Sequence, residues 1–247
     1  IVRKMKVSGA VCLKQVIEYL KQPEKTQDQF LPPTKTTAHE DMPPGNRIGK
    51  ELDFGEIQGQ EQAKQAALIA AAGFHHMLIV GPPGAGKTML AKRMPSILPP
   101  LSEQESLEVS ALYSISGKLN RGSPLICQRP FLSPHHTISP QALAGGGKVP
   151  RPGAVSLAHR GILFLDELPE FKRQTLDLLR QPLEEKEIQI ARSSGFFTYP
   201  ADMMVIGAMN PCPCGYYPDR NRCRCSPSEI HQYLSHLSGP ILDRIDL

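Results

Sequence analysis

The chain has no apolar run approaching the ~20 residues that a helix needs to cross a bilayer, so no membrane span is predicted. It has no dominant charge either: 28 basic residues stand against 24 acidic ones. Such a balance permits contact with a polyanion through local patches but does not argue for it. Cysteine is scarce, and four of the six lie between Cys212 and Cys225 rather than scattered like a disulfide framework. No initiating Met precedes Ile1, and Ile245-Asp246-Leu247 read as the start of an element. The expectation is a fragment with sequence missing at both ends. Its 247 residues give room for one α/β domain and flanking segments.

What is present centres on one glycine-rich string. The apolar run Met77-Leu-Ile-Val80 leads directly into Gly81-Pro82-Pro83-Gly84-Ala85-Gly86-Lys87-Thr88. A buried parallel strand over Leu78–Val80, a turn, and a helix opening near Lys87 are predicted. That turn aims consecutive backbone N–H groups at one point, and the helix N-terminus adds partial positive charge. Glycines 81, 84 and 86 allow positive φ and keep Cβ atoms away from a phosphate. Lys87 then reaches the β- and γ-phosphates of a nucleoside triphosphate, with the Thr88 hydroxyl on Mg²⁺.

Gly161-Ile-Leu-Phe-Leu-Asp166-Glu167 predicts a second buried strand ending in two acids. Ligands of open α/β sheets sit at that carboxyl edge, which brings Asp166 to the Mg²⁺ held by Thr88. Glu167 is then placed to orient and deprotonate a water attacking the γ-phosphate. The third strand, Met203-Met-Val-Ile-Gly-Ala-Met-Asn210, closes on a polar residue predicted beside Asp166, in reach of that water or phosphate. An Asn before Pro211 is also an ordinary turn former.

Leu13–Lys21 carries helical apolar spacing, and residues 22–49 then lose periodicity and collect prolines, which reads as a linker. A second helix is predicted over Gln60–Ala72, closed by Gly73. The phosphate-loop helix should stop near Met94 at Pro95. Ser102-Glu-Gln-Glu105 is a capping box opening a helix that Gly117 ends. Residues 120–160 fit no simple helix–strand unit. Glu187–Arg192 and Phe196–Tyr199 flank Ser193-Ser-Gly195 in the pattern of a β-hairpin.

Cys212-x-Cys214 and Cys223-x-Cys225 form two thiol claws across a short loop. Tetrahedral Zn²⁺ suits four such thiolates, although the usual claw has two intervening residues rather than one. Its role would be structural, pinning a loop too small to hold itself. Disulfides and merely packed thiols are the competing explanations. Clustered thiols beside phosphate chemistry predict a reducing cytoplasm.

These segments together resemble the AAA+ ATPases, and within them the magnesium-chelatase-like bacterial proteins of the ComM (YifB) type. The resemblance runs from about Leu52 to Leu247. It is carried by Asp53–Lys64, the phosphate loop, Ser133–Ser139, Ala158–Glu167, Met209–Gly215 with the following Cys223-Arg-Cys225, and Ser238–Leu247. It implies an α/β P-loop core, a parallel sheet flanked by helices, with a helix-2 insertion in 120–160 and a pre-sensor hairpin. It implies ATP contacts at Ile57, Gly59 and Gln60, and an upstream Lon-protease-like domain of which residues 1–21 are the remnant. Residues 50–247 are then the ATPase core, without its C-terminal lid.

The same resemblance implies a ring, a hexamer, in which Arg244 completes a neighbour's site, and a motor moving on DNA by branch migration. Arg192 is then a candidate contact to DNA phosphate, and His135 and His136 could touch DNA. An exposed hairpin arginine and a structural histidine pair, lacking a nearby carboxylate partner, are the bland readings. The rival function is a chelatase-type ATPase subunit that remodels a protein partner.

Overall fold

A computed structural model describes residues 12–21, 52–119, 125–147, 149–192, 195–237 and 239–247. The chain divides into two units after Gly49. In the first, α1 (Leu13–Lys21) covers the predicted helix; the linker reading for 22–49 falls outside the described residues.

The second unit begins with α2 (Glu61–Gly73), β1 (Met77–Val80), α3 (Lys87–Arg93) and α4 (Glu103–Ile115). A run of short elements follows: β2 (Phe131–Leu132), α5 (Pro140–Ala144), β3 (Gly145–Gly146), β4 (Arg151–Pro152) and α6 (Ala154–Leu157). Then come β5 (Ile162–Leu165), α7 (Arg173–Asp177), α8 (Arg180–Glu185), β6 (Glu187–Arg192), β7 (Gly195–Pro200) and β8 (Met204–Met209). Two helices close the unit, α9 (Pro227–Ser235) and α10 (Gly239–Leu242).

Four strands form one parallel sheet in the order β1-β8-β5-β2, with Val80 opposite Met209 and Leu165 opposite Gly207. Both faces of β5 and β8 are covered, which is why neither strand alternates in sequence. Ile162, Phe164, Met204, Ile206 and Ala208 face Ala67 and Ala70 of α2 and Leu90 of α3. Leu163, Leu165, Val205 and Met209 turn to the other side, against Leu143, Val155 and Leu168. The α/β architecture is the one the motifs implied.

Local signals set most boundaries. The capping box at α4 closes both ways, Glu105 N donating to Ser102 Oγ at 3.2 Å and Ser102 N to Glu105 Oε2 at 2.8 Å. The expected hairpin is β6–β7, antiparallel from Glu187↔Pro200 to Arg192↔Gly195. Its turn, 193–194, and the Arg192 side chain lie outside what is described. Within 125–160, α5 and α6 flank the small β3–β4 ladder. That segment also holds β2, a fourth strand that periodicity did not announce. Only Phe131 and Leu132 pair with β5, between Pro130 and Ser133-Pro134, too short a run for a period to register. At the opposite edge, Leu78 N donates to Leu247 O at 2.8 Å and Leu247 N to His76 O at 3.2 Å, so the last residues run beside β1.

Two imidazoles stitch the sheet's entry edge. His76 Nδ1 accepts from Val205 N at 3.0 Å, and His159 Nδ1 accepts from Asp202 N at 3.0 Å. An accepting nitrogen carries no proton, so both rings are neutral. The second nitrogen of His159 lies 3.2 Å from Glu108 Oε2, where Arg160 also binds at 3.1 Å. Burial is the largest influence on both histidines and pushes their pKa values below the ordinary 6.5. A base whose folded pKa is depressed contributes its full stability above the unfolded value and loses it as pH falls. The urea midpoint is therefore expected to drop as pH is lowered from 7.5 through 6.5 to 5.5, before carboxylates titrate. A constant midpoint across that window would show that neither ring is held neutral.

Candidate nucleotide site

The parallel order places three strand ends side by side, so the loop after β1, Asp166 after β5 and Asn210 after β8 share one edge. In the loop, Gly84 and Gly86 have φ of 78° and 84°, and Gly86 caps α3 in the left-handed region. A side chain at either would be strained there. Gly81 N donates to Met209 O at 3.2 Å, fixing the start of the turn to β8.

Lys87 Nζ is gripped by three oxygens: Gly81 O at 2.7 Å, Pro82 O at 3.0 Å and Asn210 Oδ1 at 3.0 Å. Burial lowers its pKa from the ordinary lysine value, and Asp166 works against that shift. The next residue, Thr88, donates its hydroxyl to Asp166 Oδ2 at 2.7 Å. These two hard oxygen donors suit Mg²⁺, which favours carboxylate and hydroxyl oxygen over nitrogen or sulfur. Asp166 Oδ1 accepts from Glu167 N at 3.0 Å. Lys87, Thr88, Asp166 and Asn210 thus form one connected group, although Lys87 and Asn210 are 123 positions apart in the chain.

Glu167 stands slightly apart. Its backbone is left-handed, φ 53° and ψ 47°, and it caps a short turn of 3₁₀ helix, Leu168–Glu170. For a non-glycine residue that conformation costs on the order of 1 kcal/mol or more and marks the end of the strand sharply. The carboxylate is exposed, and its Oε2 lies 3.2 Å from His136 Nδ1. This corrects the sequence reading of the histidine pair as lacking a carboxylate nearby. His136 also lies against His135, ring centres 4.1 Å apart and planes tilted by 36°, and meets the edge of Phe171. Sequence could not reveal the contact, because it joins the loop after β2 to the end of β5.

Of the three residues expected around an adenine, Ile57 is buried, Gly59 has φ 68°, and Gln60 Nε2 donates to Ala85 O at 3.4 Å. That bond ties the start of α2 to the phosphate loop. Arg244 sits elsewhere. Its guanidinium binds Pro240 O and the Glu184 carboxylate of α8. It makes no ion pair with the adjacent Asp243 or Asp246; Asp246 instead accepts from His76 N at 2.8 Å. The four clustered cysteines converge, with all four Sγ atoms within 4.8 Å of one another.

A family model described as magnesium chelatase, subunit ChlI, matches residues 53–247. The chain belongs to the magnesium-chelatase-like AAA+ family of the ComM/YifB type. It is 52% identical over 195 residues to the uncharacterized protein YifB of Salmonella typhimurium, covering 79% of this chain and 38% of that one. Against the competence protein ComM of Haemophilus influenzae it is 50% identical over 204 residues, 82% of this chain and 40% of the other. The magnesium-chelatase 38 kDa subunit of Cereibacter sphaeroides is 26% identical over 178 residues, 66% of this chain and 53% of the subunit. The chain thus spans about 40% of the length of its ComM/YifB relatives. The matched residues include the whole edge described above and Arg244.

Proposed function

We propose that this chain is the ATP-hydrolysing module of a ring-forming motor that acts on DNA in the cytoplasm. The observation carrying the hydrolytic part is the Thr88–Asp166 bond at 2.7 Å, set beside the Lys87–Asn210 bond at 3.0 Å on one sheet edge. In this reading Gly81 through Thr88 wrap the phosphates, and Lys87 exchanges carbonyl oxygens for β- and γ-phosphate oxygens. Mg²⁺, held by Thr88 and Asp166, would neutralise charge on those oxygens. Glu167 leaves His136 to take the proton of the attacking water, and Asn210 holds that water or the γ-phosphate. Ile57, Gly59 and Gln60 line the base.

The DNA part rests on similarity to a competence protein, and self-association into a hexamer rests on the family. A chelatase-type subunit is the second reading, favoured by the 26% identity to a magnesium-chelatase subunit, half the identity shared with ComM. Among the described residues no helix is long and apolar enough to cross a membrane. Single-stranded or forked DNA is expected to raise ATP turnover of the full-length protein; turnover indifferent to DNA would favour the chelatase-type reading.

Glu167→Gln should retain ATP binding while turnover falls by about two to four decades, the usual range for a lost general base. Lys87→Ala should instead weaken binding itself, read by fluorescent nucleotide titration. Parent-rate hydrolysis by Glu167→Gln would remove the base assignment.

Arg244 is the residue proposed to serve a neighbouring subunit. Charge spreading over the γ-phosphoryl oxygens needs a cation beyond Lys87, and such a finger is worth ~10³–10⁵ in rate. Head-to-tail packing brings each Arg244 to the next phosphate loop once its pair with Glu184 opens. Mixing Arg244→Ala with Lys87→Ala chains, each inactive alone, should restore part of the turnover. Mixed rings that form yet stay inactive would count against action in trans.

A further inference from the structure

Between Asn210 and α9 the chain makes no helix or strand, and from Pro213 to Ser226 Gly215 alone is buried. Such a segment has no apolar core of its own to hold it in place. Yet it brings four thiols together. Cys212 Sγ lies 3.7 Å from Cys223 Sγ, Cys214 Sγ lies 3.6 Å from Cys223 Sγ, and Cys212 and Cys214 are 3.3 Å apart. A tetrahedral ion with Zn–S bonds of ~2.3 Å has its sulfurs ~3.8 Å apart, so these separations are those of a ligand set. The shortest belongs to a claw with one intervening residue, where the tighter span is expected.

A backbone donor meets one of the sulfurs: Tyr217 N points at Cys212 Sγ at 3.4 Å.

The same loop forms a wall of the phosphate loop. Gly215 approaches Pro83 so closely that a Cβ there would sit 2.5 Å from Pro83 Cδ, and φ is +86°. Pro82 shares a cavity of about 420 Å³ with Tyr216, Tyr217 and Arg222. Cys212 follows Asn210 by two residues, and Asn210 holds Lys87. The phosphate loop therefore touches both the end of β8 and the cysteine loop.

We propose that Cys212, Cys214, Cys223 and Cys225 bind one Zn²⁺ and that this zinc knuckle sets the position of the phosphate loop, linking metal occupancy to nucleotide affinity. The linkage rests on the nucleotide-site reading above; the metal site does not. Anything that binds only the ordered knuckle shifts the equilibrium toward the loop geometry that the knuckle supports.

The test uses the full-length protein purified without added metal. Metal analysis should find about one zinc per chain, and X-ray absorption should show about four sulfurs at ~2.3 Å. Displacing the ion with a mercurial, with circular dichroism confirming an unchanged fold, should weaken binding of a fluorescent ATP analogue at least tenfold. Cys223→Ser/Cys225→Ser should lose both zinc and affinity, and Cys12→Ser/Cys127→Ser should lose neither. Should the first double variant fail to fold, Gly215→Ala decides: it keeps all four thiols and the zinc, and its clash with Pro83 should still reduce affinity. Lys87→Ala separates the two readings, because it should lose nucleotide and keep zinc. A folded, metal-free protein with four titrating thiols, or a cystine there, overturns the metal site. Zinc removal and Gly215→Ala that both leave nucleotide affinity unchanged overturn the linkage, and a zinc-loaded protein that binds no nucleotide overturns the nucleotide site instead.

Discussion

Everything at the candidate site depends on β8 being buried between β1 and β5. Its six residues are all buried, and alternate ones fill the cores on both faces of the sheet. Parallel pairing on either side brings Met209 level with Val80 and Gly207 level with Leu165. The strand's end consequently becomes a fixed post between two loops. Met209 O takes the first amide of the phosphate loop, and Asn210 takes the lysine. Without that burial, no local propensity would bring Gly81–Thr88 and Asp166 to one point.

Lys87 shows what such burial demands. A desolvated ammonium is costly unless donors are satisfied, and here three oxygens satisfy them. Two are backbone carbonyls of the loop itself, so the lysine folds back on the turn that an anion would fill. An entering phosphate offers anionic oxygens in their place, adding charge–charge attraction to bonds whose donor is already charged. The exchange favours the anion without moving β1, β5 or β8. Thr88 and Asp166 are arranged in the same way, each satisfied by the other and each able to turn to a cation.

How much of this was legible in the sequence follows from the range over which each signal acts. The glycine loop, the α4 capping box, the β6–β7 hairpin and the two central strands are set by residues within a few positions, and all were readable. A further capping box, Ser226 with Glu229 at the start of α9, carries the same signature. The β2 strand was not readable, since two apolar residues between prolines have no period. Nor were the pairs His136–Glu167 and Arg244–Glu184, which join separate elements. Position in a motif indicates where a carboxylate begins, whereas its resting partner is chosen by tertiary packing.

The His136–Glu167 pair gives that distinction mechanistic weight. A carboxylate acting as a base must point at a water, yet here it points at an imidazole on the loop after β2. Glu167 is exposed, so the pair is worth no more than ~1 kcal/mol. An interaction that weak can hold a side chain without trapping it. It is comparable to the energy of a single competing hydrogen bond, so a correctly placed water is enough to release the carboxylate. The expensive element, the left-handed backbone at Glu167, lies in the rigid frame, and only the cheap side-chain torsions have to change. Strand burial therefore sets where the acid stands, and a weak surface contact sets where it points at rest.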